Sequence, residues 1–490
     1  MKNTSKFISL LLALILAGSA VGCGSSGTSS DTTTANSGNT TTAPVDDGRV
    51  RDDLPDTDMG GKTVSILVRE EVDYEFSAEQ TGDIIDDAIY KRNADISERF
   101  NVNIEYILKP GLWASNAEFQ GLISGAVLAN DPVYDIVTGQ SNIVLPLAQQ
   151  HYYVDVADQQ YLDLTKPYWK SGYIENVKIN DHLYTLCGDY ALTTLTMSNV
   201  IFFNKSLFDD YSIEYPYQSV KDGSWTLDKF LSIVADSAVD LNGDSQISQG
   251  DLFGFAAYNN SVVPFTYSCG ISMTTPGSDG VRYIDFPDEK AIDVFDKIYA
   301  LCHSEDFLDT SNVKSITGQP EGDMAIAFKN GEYLMMGMTL ENVENLRDMD
   351  VDFGILPYPK YDENQENYIT SLLRRLTVAS IPISAADYDT SAIILEAMGS
   401  YGYNDILPTY YEVALKGKYT RDDDSSEMLD IISASAYFDF MDAYYLDLGT
   451  HSDFLSSYAL GSSQGVSSKF ESIRKTLEGY LDKLYAAYED

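Results

Sequence analysis

Apolar and polar positions alternate in short blocks along most of the chain. Residues 63–68 form a brief apolar run of the kind that makes a buried strand. Asp83 then stands where a helix cap belongs, and Ile85, Ile89, Ile96 and Phe100 recur at helical spacing. Residues 102–108 alternate as a second strand, a helical stretch follows from about Ala114, and residues 134–138 predict a third strand. Strands interleaved with helices at this spacing predict βαβ units and a parallel sheet.

The same alternation returns downstream. Residues 182–186, 200–203 and 333–338 read as strands, whereas 228–237, 288–302 and 390–400 read as helices. Beyond Tyr403 the pattern turns mostly helical and ends in 468–487, where Phe470, Ile473, Leu477, Leu481 and Leu484 share one stripe. No segment repeats. The fitting class is α/β, with two sheets and a helical C-terminal portion.

The N-terminus follows different rules. Lys2 and Lys6 precede an uncharged run, 7–23, that is too short to cross a ~30 Å hydrocarbon core comfortably. Basic, then apolar, then small residues make a secretory signal over 1–22. Ala20-Val21-Gly22-Cys23 resembles the lipobox of bacterial lipoproteins, with Ala20 where Leu is usual. The resemblance implies diacylglyceryl attachment at Cys23; the alternative is an ordinary cleavable signal with a chance Cys. Residues 23–60 then form a Gly/Ser/Thr/Asn/Asp-rich stretch with too little apolar surface to fold, which suits a tether.

After that stretch enough chain remains for two or three cores. The formal charge of −43 excludes nonspecific attraction to nucleic acid or anionic lipid as the main activity. Tyr, at 35 residues, supplies rings with a polar rim that suit sugar faces as well as half-exposed surface. Cys187, Cys269 and Cys302 have no metal-binding spacing, and a Cys269–Cys302 bridge and unpaired thiols both stand. His151, His182, His303 and His451 are scattered.

One loop does carry metal-ligand spacing. Asp240, Asn242, Asp244, Ser248 and Asp251 fall at positions 1, 3, 5, 9 and 12 of a twelve-residue loop, and Gln246 would offer its carbonyl at position 7. Hard oxygen donors in this order suit a structural Ca²⁺. Ser245 replaces the usual Gly at position 6, and Asp251 replaces Glu at position 12, as in dockerin-type loops.

Several blocks carry a wider resemblance. They are HLYTLCGD at 182–189, VIFFNKSLF at 200–208, SWTLD at 224–228, DMAIAFKNGEYLMMG at 323–337 and VDFGILPYP at 351–359. In these the chain resembles family 1 extracellular solute-binding proteins, the sugar-binding components of ABC importers. The resemblance implies a two-lobe periplasmic-binding-protein-like fold with a hinge. It places 61–198 with 306–355 in an N-terminal lobe and 199–305 with 356–490 in a C-terminal lobe. It further implies an oligosaccharide ligand, permease partners, a membrane-tethered location outside the cytoplasm, and no catalysis.

Ligands of open α/β sheets lie beyond the carboxyl ends of strands. That rule and the resemblance nominate Arg69, Glu70, Glu71 and Tyr74 after the first strand, and Gln140 with Ser141 after the third. They also nominate Asp189 and Tyr190, Tyr258 and Asn259, and Thr339 with Glu341. The 69–74 loop reads equally as a solvated acidic loop, and Trp225 reads as a helix-start packing residue. Two other functions stand beside the receptor: a cell-surface glycoside hydrolase, and a ligand sensor for a membrane kinase. Abundant carboxylates cannot discriminate these, but no G-x-S-x-G, HExxH or phosphate loop is present.

Overall fold

The computed structural model describes residues 48–346, 349, 352–411 and 423–488. Signal, lipobox Cys23 and most of the 23–60 stretch lie outside the described residues. Residues 49–490 form one compact unit. Its strands are β1 (Lys62–Arg69), β2 (Val102–Lys109), β3 (Ile136–Gln140), β4 (Asn199–Asn204), β5 (Phe253–Ala257), β6 (Thr274–Pro276) and β7 (Arg282–Ile284). They continue as β8 (Phe307–Asp309), β9 (Tyr333–Thr339), β10 (Phe353–Pro357), β11 (Thr370–Ser371), β12 (Thr377–Ser380) and β13 (Ala436–Tyr437).

The first sheet has the order β12-β3-β1-β2, parallel except where β12 runs against β3. The helix Ile84–Phe100 connects β1 to β2 as expected. Asp83 caps it, accepting from the amides of Ile85 (2.9 Å) and Asp86 (3.3 Å), and Ile89, Ile96 and Phe100 are buried. The helix Asn116–Ala129 then leads to β3. The third strand sits two residues later than periodicity suggests, because Asp135 is spent on the turn: its Oδ2 accepts the Ser65 amide at 2.8 Å.

The second sheet has the order β10-β4-β9-β5-β8. Trp225 packs fully buried at the entry to the helix Leu227–Val234 and donates Nε1 to the Pro357 carbonyl at 2.9 Å. Asp288 caps Glu289–Cys302, and the chain ends in Val466–Ala486 with Phe470, Leu477, Leu481 and Leu484 inward.

Two expectations need correction. Residues 306–355 do not join the first lobe's sheet. β9 lies inside the second sheet, antiparallel to β4 and parallel to β5, with all seven residues buried, and β8 and β10 form its edges. The strand returned to the first sheet is β12, after the crossing segment 371–376. Residues 182–186 form no strand either; His182 and Leu186 make isolated bridges to Ile179 and Ala379. Cys187, Cys269 and Cys302 are free thiols, each pushed up to about 12 by burial.

Candidate functional site

Strand ends from both sheets converge on one cavity of about 290 Å³, near the lower end of the usual range for ligand pockets. Asn142, just past β3, lines it from the first sheet; its Oδ1 is buried without a hydrogen-bond partner. Met338 and Thr339 at the end of β9, Asn199 at the start of β4 and Tyr258 just past β5 line it from the second. A larger groove of about 940 Å³ runs past Lys166, Trp169, Tyr403 and Asp430, but no strand of either main sheet ends in it.

The crossing segment forms the remaining wall. Ser371, Leu372, Leu373, Arg374 and Arg375 all line the cavity. Backbone bonds fix this stretch from both sides: Leu373 N–H donates to Met197 O at 2.9 Å, and Ser141 Oγ donates to Arg374 O at 2.8 Å. Asn199 Nδ2 donates to the Ser371 carbonyl at 3.0 Å, coupling β4 to the same segment. The two arginines are therefore held between the sheets.

Each arginine meets carboxylates. Arg374 donates to Asp453 at 2.9 Å and to Ser452 Oγ at 3.1 Å, stands 3.6 Å from Asp442, and lies 3.8 Å above the Tyr445 ring. Burial works against its cation, but Asp442 and Asp453 outweigh that cost, so its pKa stands above the ordinary arginine value. Burial likewise pushes the Asp442 carboxyl up, with Arg374 opposing the shift. Arg375 donates to Glu341 at 2.7 Å and to Glu321 at 3.4 Å. Burial raises Glu341, Arg375 pulls it back, and Glu321 pushes it up again.

The residues nominated from sequence divide into two groups. Tyr258 and Thr339 line the cavity, and Glu341 stands at its rim, accepting from Thr339 Oγ1 at 3.0 Å. Tyr74 is 43% exposed; burial of its hydroxyl and the nearby Glu75 hold its pKa well above 10, with Glu341 contributing. Ser141 is fully buried and positions Arg374 instead of facing a ligand. Glu70 is exposed in the turn Glu70–Glu75. The side chain of Asn259 lies outside the described residues.

The others are committed to structure. Arg69 is buried and donates to the Arg375 carbonyl at 2.8 Å and to Thr377 Oγ1 at 3.2 Å. Glu71 accepts the Gly111 amide at 3.1 Å. Gln140 is buried in register with Thr377. Asp189 is a buried partner of Lys170 at 2.8 Å, and Tyr190 donates to Leu186 O at 2.9 Å. Sequence reasoning missed Asn142, Asn199, Arg374, Arg375, Asp442 and Asp453. One signal was there to be read: Arg374-Arg375 is a tandem cation in a chain with only 32 Lys and Arg against 75 acids.

The loop 240–251 is closed at its base by a bridge between Val239 and Leu252. Asp240 accepts the amides of Gly243 (2.6 Å) and Ser245 (2.7 Å), and Asp244 accepts that of Gln246 at 2.9 Å. Asp251 accepts those of Leu241 and Ser248, both at 2.9 Å, and Asn242 Nδ2 at 3.2 Å. These amides hold the Asp251 carboxyl below its ordinary value. Among the described residues no group of three or more His, Cys, Asp or Glu stands ready to hold a metal ion.

No protein-family model matches the chain, and no curated protein matches it in sequence. Solved structures do match its fold. The sugar-binding protein MalE from the phytopathogen Xanthomonas citri aligns with a TM-score of 0.60 at 12% identity, over 87% of this chain and 99% of that one. The maltose-binding periplasmic protein MalE from Listeria monocytogenes, in complex with maltose, aligns at 0.53 and 13% identity, over 86% and 98%. An ABC substrate-binding protein from Listeria monocytogenes, in complex with cycloalternan, aligns at 0.52 and 10% identity, over 87% and 99%. The likeness spans nearly the whole of each and establishes the two-lobe periplasmic-binding-protein fold.

Proposed function

We propose that this protein is an extracytoplasmic receptor that captures an oligosaccharide between its two lobes and delivers it to an ABC permease. The observation that carries the reading is the convergence, in this fold, of strand ends from both sheets on one cavity lined by hydrogen-bonding groups and tyrosine. Thr339, Asn142, Asn199 and Asn342 offer neutral donors and acceptors of the kind that match sugar hydroxyls, and Tyr258 offers a ring face. Binding between lobes would couple to hinge closure. The lipid on Cys23 and its tether would keep such a receptor near the permease and raise its effective concentration there.

Binding is favoured over hydrolysis because the cavity's carboxylates are engaged by arginines. A glycosidase needs one carboxyl free to protonate the leaving oxygen and another facing the sugar, whereas Asp453 and Glu341 both accept from guanidinium groups. The test is thermal shift against a glycan panel, followed by mass spectrometry of the glycan that stabilises most. Stabilisation should follow RT ln(1 + [L]/Kd), about 2.7 kcal/mol at one hundred times Kd, with the glycan recovered intact. Cleaved glycan would replace the receptor with the hydrolase.

Calcium at the 240–251 loop belongs to the same proposal as a structural ion. The donor order supports it; the carboxylates would have to turn from the loop amides towards the ion.

A further inference from the structure

The cavity is out of electrostatic balance. Glu321, Asp442 and Asp453 line it, and Arg374 and Arg375 are the cations among its lining residues. Glu341 joins from the rim, 2.7 Å from Arg375, which also meets Glu321 at 3.4 Å. Arg374 meets Asp453 at 2.9 Å and Asp442 at 3.6 Å. Four carboxylates thus share two guanidiniums. Arg69, behind Arg375, is offset by buried Glu75. Beneath the cavity, wholly buried Asp439 accepts from the Tyr437 hydroxyl at 2.8 Å and adds a further acid beside Asp442.

Surplus negative charge in a partly dehydrated cleft is costly until a proton or another positive group neutralises it. Resting on the carbohydrate reading, we infer that the preferred ligand is an amino sugar, whose ammonium group completes the charge balance of the lining. An ammonium brings three donors and no acceptor, which suits a lining in which carboxylates outnumber guanidiniums. Tyr258 and Tyr267, both in the lining, add aromatic rings of the kind that attract a cation. A uronate or sulfated sugar would meet like charge, a repulsion that disfavours its binding at close range.

The experiment is calorimetry at pH 6 with β-1,4-linked tetramers of glucosamine, N-acetylglucosamine and glucose, α-1,4-linked maltotetraose, tetragalacturonate, and spermidine as a sugar-free polycation. The glucosamine tetramer should bind one to one, at least tenfold tighter than its N-acetyl counterpart, with tetragalacturonate silent. Glu321→Gln, at a side chain 46% exposed and so tolerant of change, should reduce that preference several-fold. An acetylated, neutral or anionic tetramer that binds as tightly as the amine overturns the inference and leaves the carbohydrate reading standing. Spermidine binding as tightly, or a preference untouched by Glu321→Gln, assigns the effect to the chain's overall charge and overturns it too. If no sugar binds, both readings fall together.

Discussion

Arg374→Ala puts the largest strain on the arrangement described. The side chain is 14% exposed, donates to Asp453 and Ser452, and covers the Tyr445 ring at 3.8 Å. Its loss strips the cation from Asp442, which is 11% exposed at its side chain, and from Asp453, which is 30% exposed. Removing one partner of a buried pair costs about 3–5 kcal/mol; the partial exposure of Asp453 places the expected loss near the lower end, about 3 kcal/mol. At ~2.1 cal/mol/K per residue, a folded unit spanning 49–490 should melt about 3 °C lower.

The sign with pH follows from Asp442. Its folded pKa is raised by burial and held back by Arg374. Without the arginine it rises further, so the folded state of the variant binds the proton more tightly still. The deficit of Arg374→Ala should therefore be largest above neutrality and shrink as pH falls through the range where Asp442 protonates. Differential scanning fluorimetry of wild type, Arg374→Ala and Arg374→Lys from pH 4.5 to 8 measures this, and the lysine variant should recover part of the loss. A deficit under 1 kcal/mol, or one that does not change with pH, would mean that Arg374 does not hold the charge on Asp442.

Further expectations are independent of that pair. Glu396, fully buried against Tyr168 and Trp169, has its carboxyl pushed up to about 6 chiefly by burial. Raised folded pKa means stability present at low pH and lost between about 4.5 and 6: wild type should lose ~2 kcal/mol across that window relative to Glu396→Gln, read from chemical denaturation. Gly402→Ala would set a Cβ 1.6 Å from the Asp189 carbonyl oxygen, so the variant should lose about 3 kcal/mol or more, or fail to fold, by circular dichroism. Millimolar calcium should raise the melting temperature of wild type and not of Asp240→Ala/Asp251→Ala; equal curves with and without chelator would reduce the loop to a turn. Labelled fatty acid should be incorporated by wild type and not by Cys23→Ala.

Local signals foretold β1, β2 and β3 of the first sheet well because those elements are consecutive, whereas β12, which arrives from residues 377–380, left no such signal. A capping Asp, a helical stripe and an alternating strand succeed one another, and β1 pairs β2 along its whole length. The second sheet was less legible because β9 is inserted between β4 and β5, strands far apart in sequence, and no local pattern specifies such a partner. The site divides in the same way. Tyr258 follows β5 and Thr339 ends β9, both at the cleft, so the strand-end rule found them. Arg374 and Arg375 sit in an irregular crossing segment with no periodicity to read, and Asp442 and Asp453 come from the short helices Phe440–Ala443 and His451–Asp453, too brief to show a periodic stripe. Conversely, Arg69 ends β1 yet turns inward to buried oxygen acceptors, and Asp189, which follows no strand because 182–186 form none, is claimed by Lys170.

A saccharide held in the cavity between the lobes should shield the backbone that lines it. Hydrogen–deuterium exchange of the full chain, with and without the glycan that stabilises it most, tests that most directly. Protection should concentrate in peptides covering Asn142, Tyr258, 338–342 and 371–375, at opposite walls of one cavity. Protection confined to the groove beside Lys166 and Tyr403, or absent while the glycan binds, would contradict it.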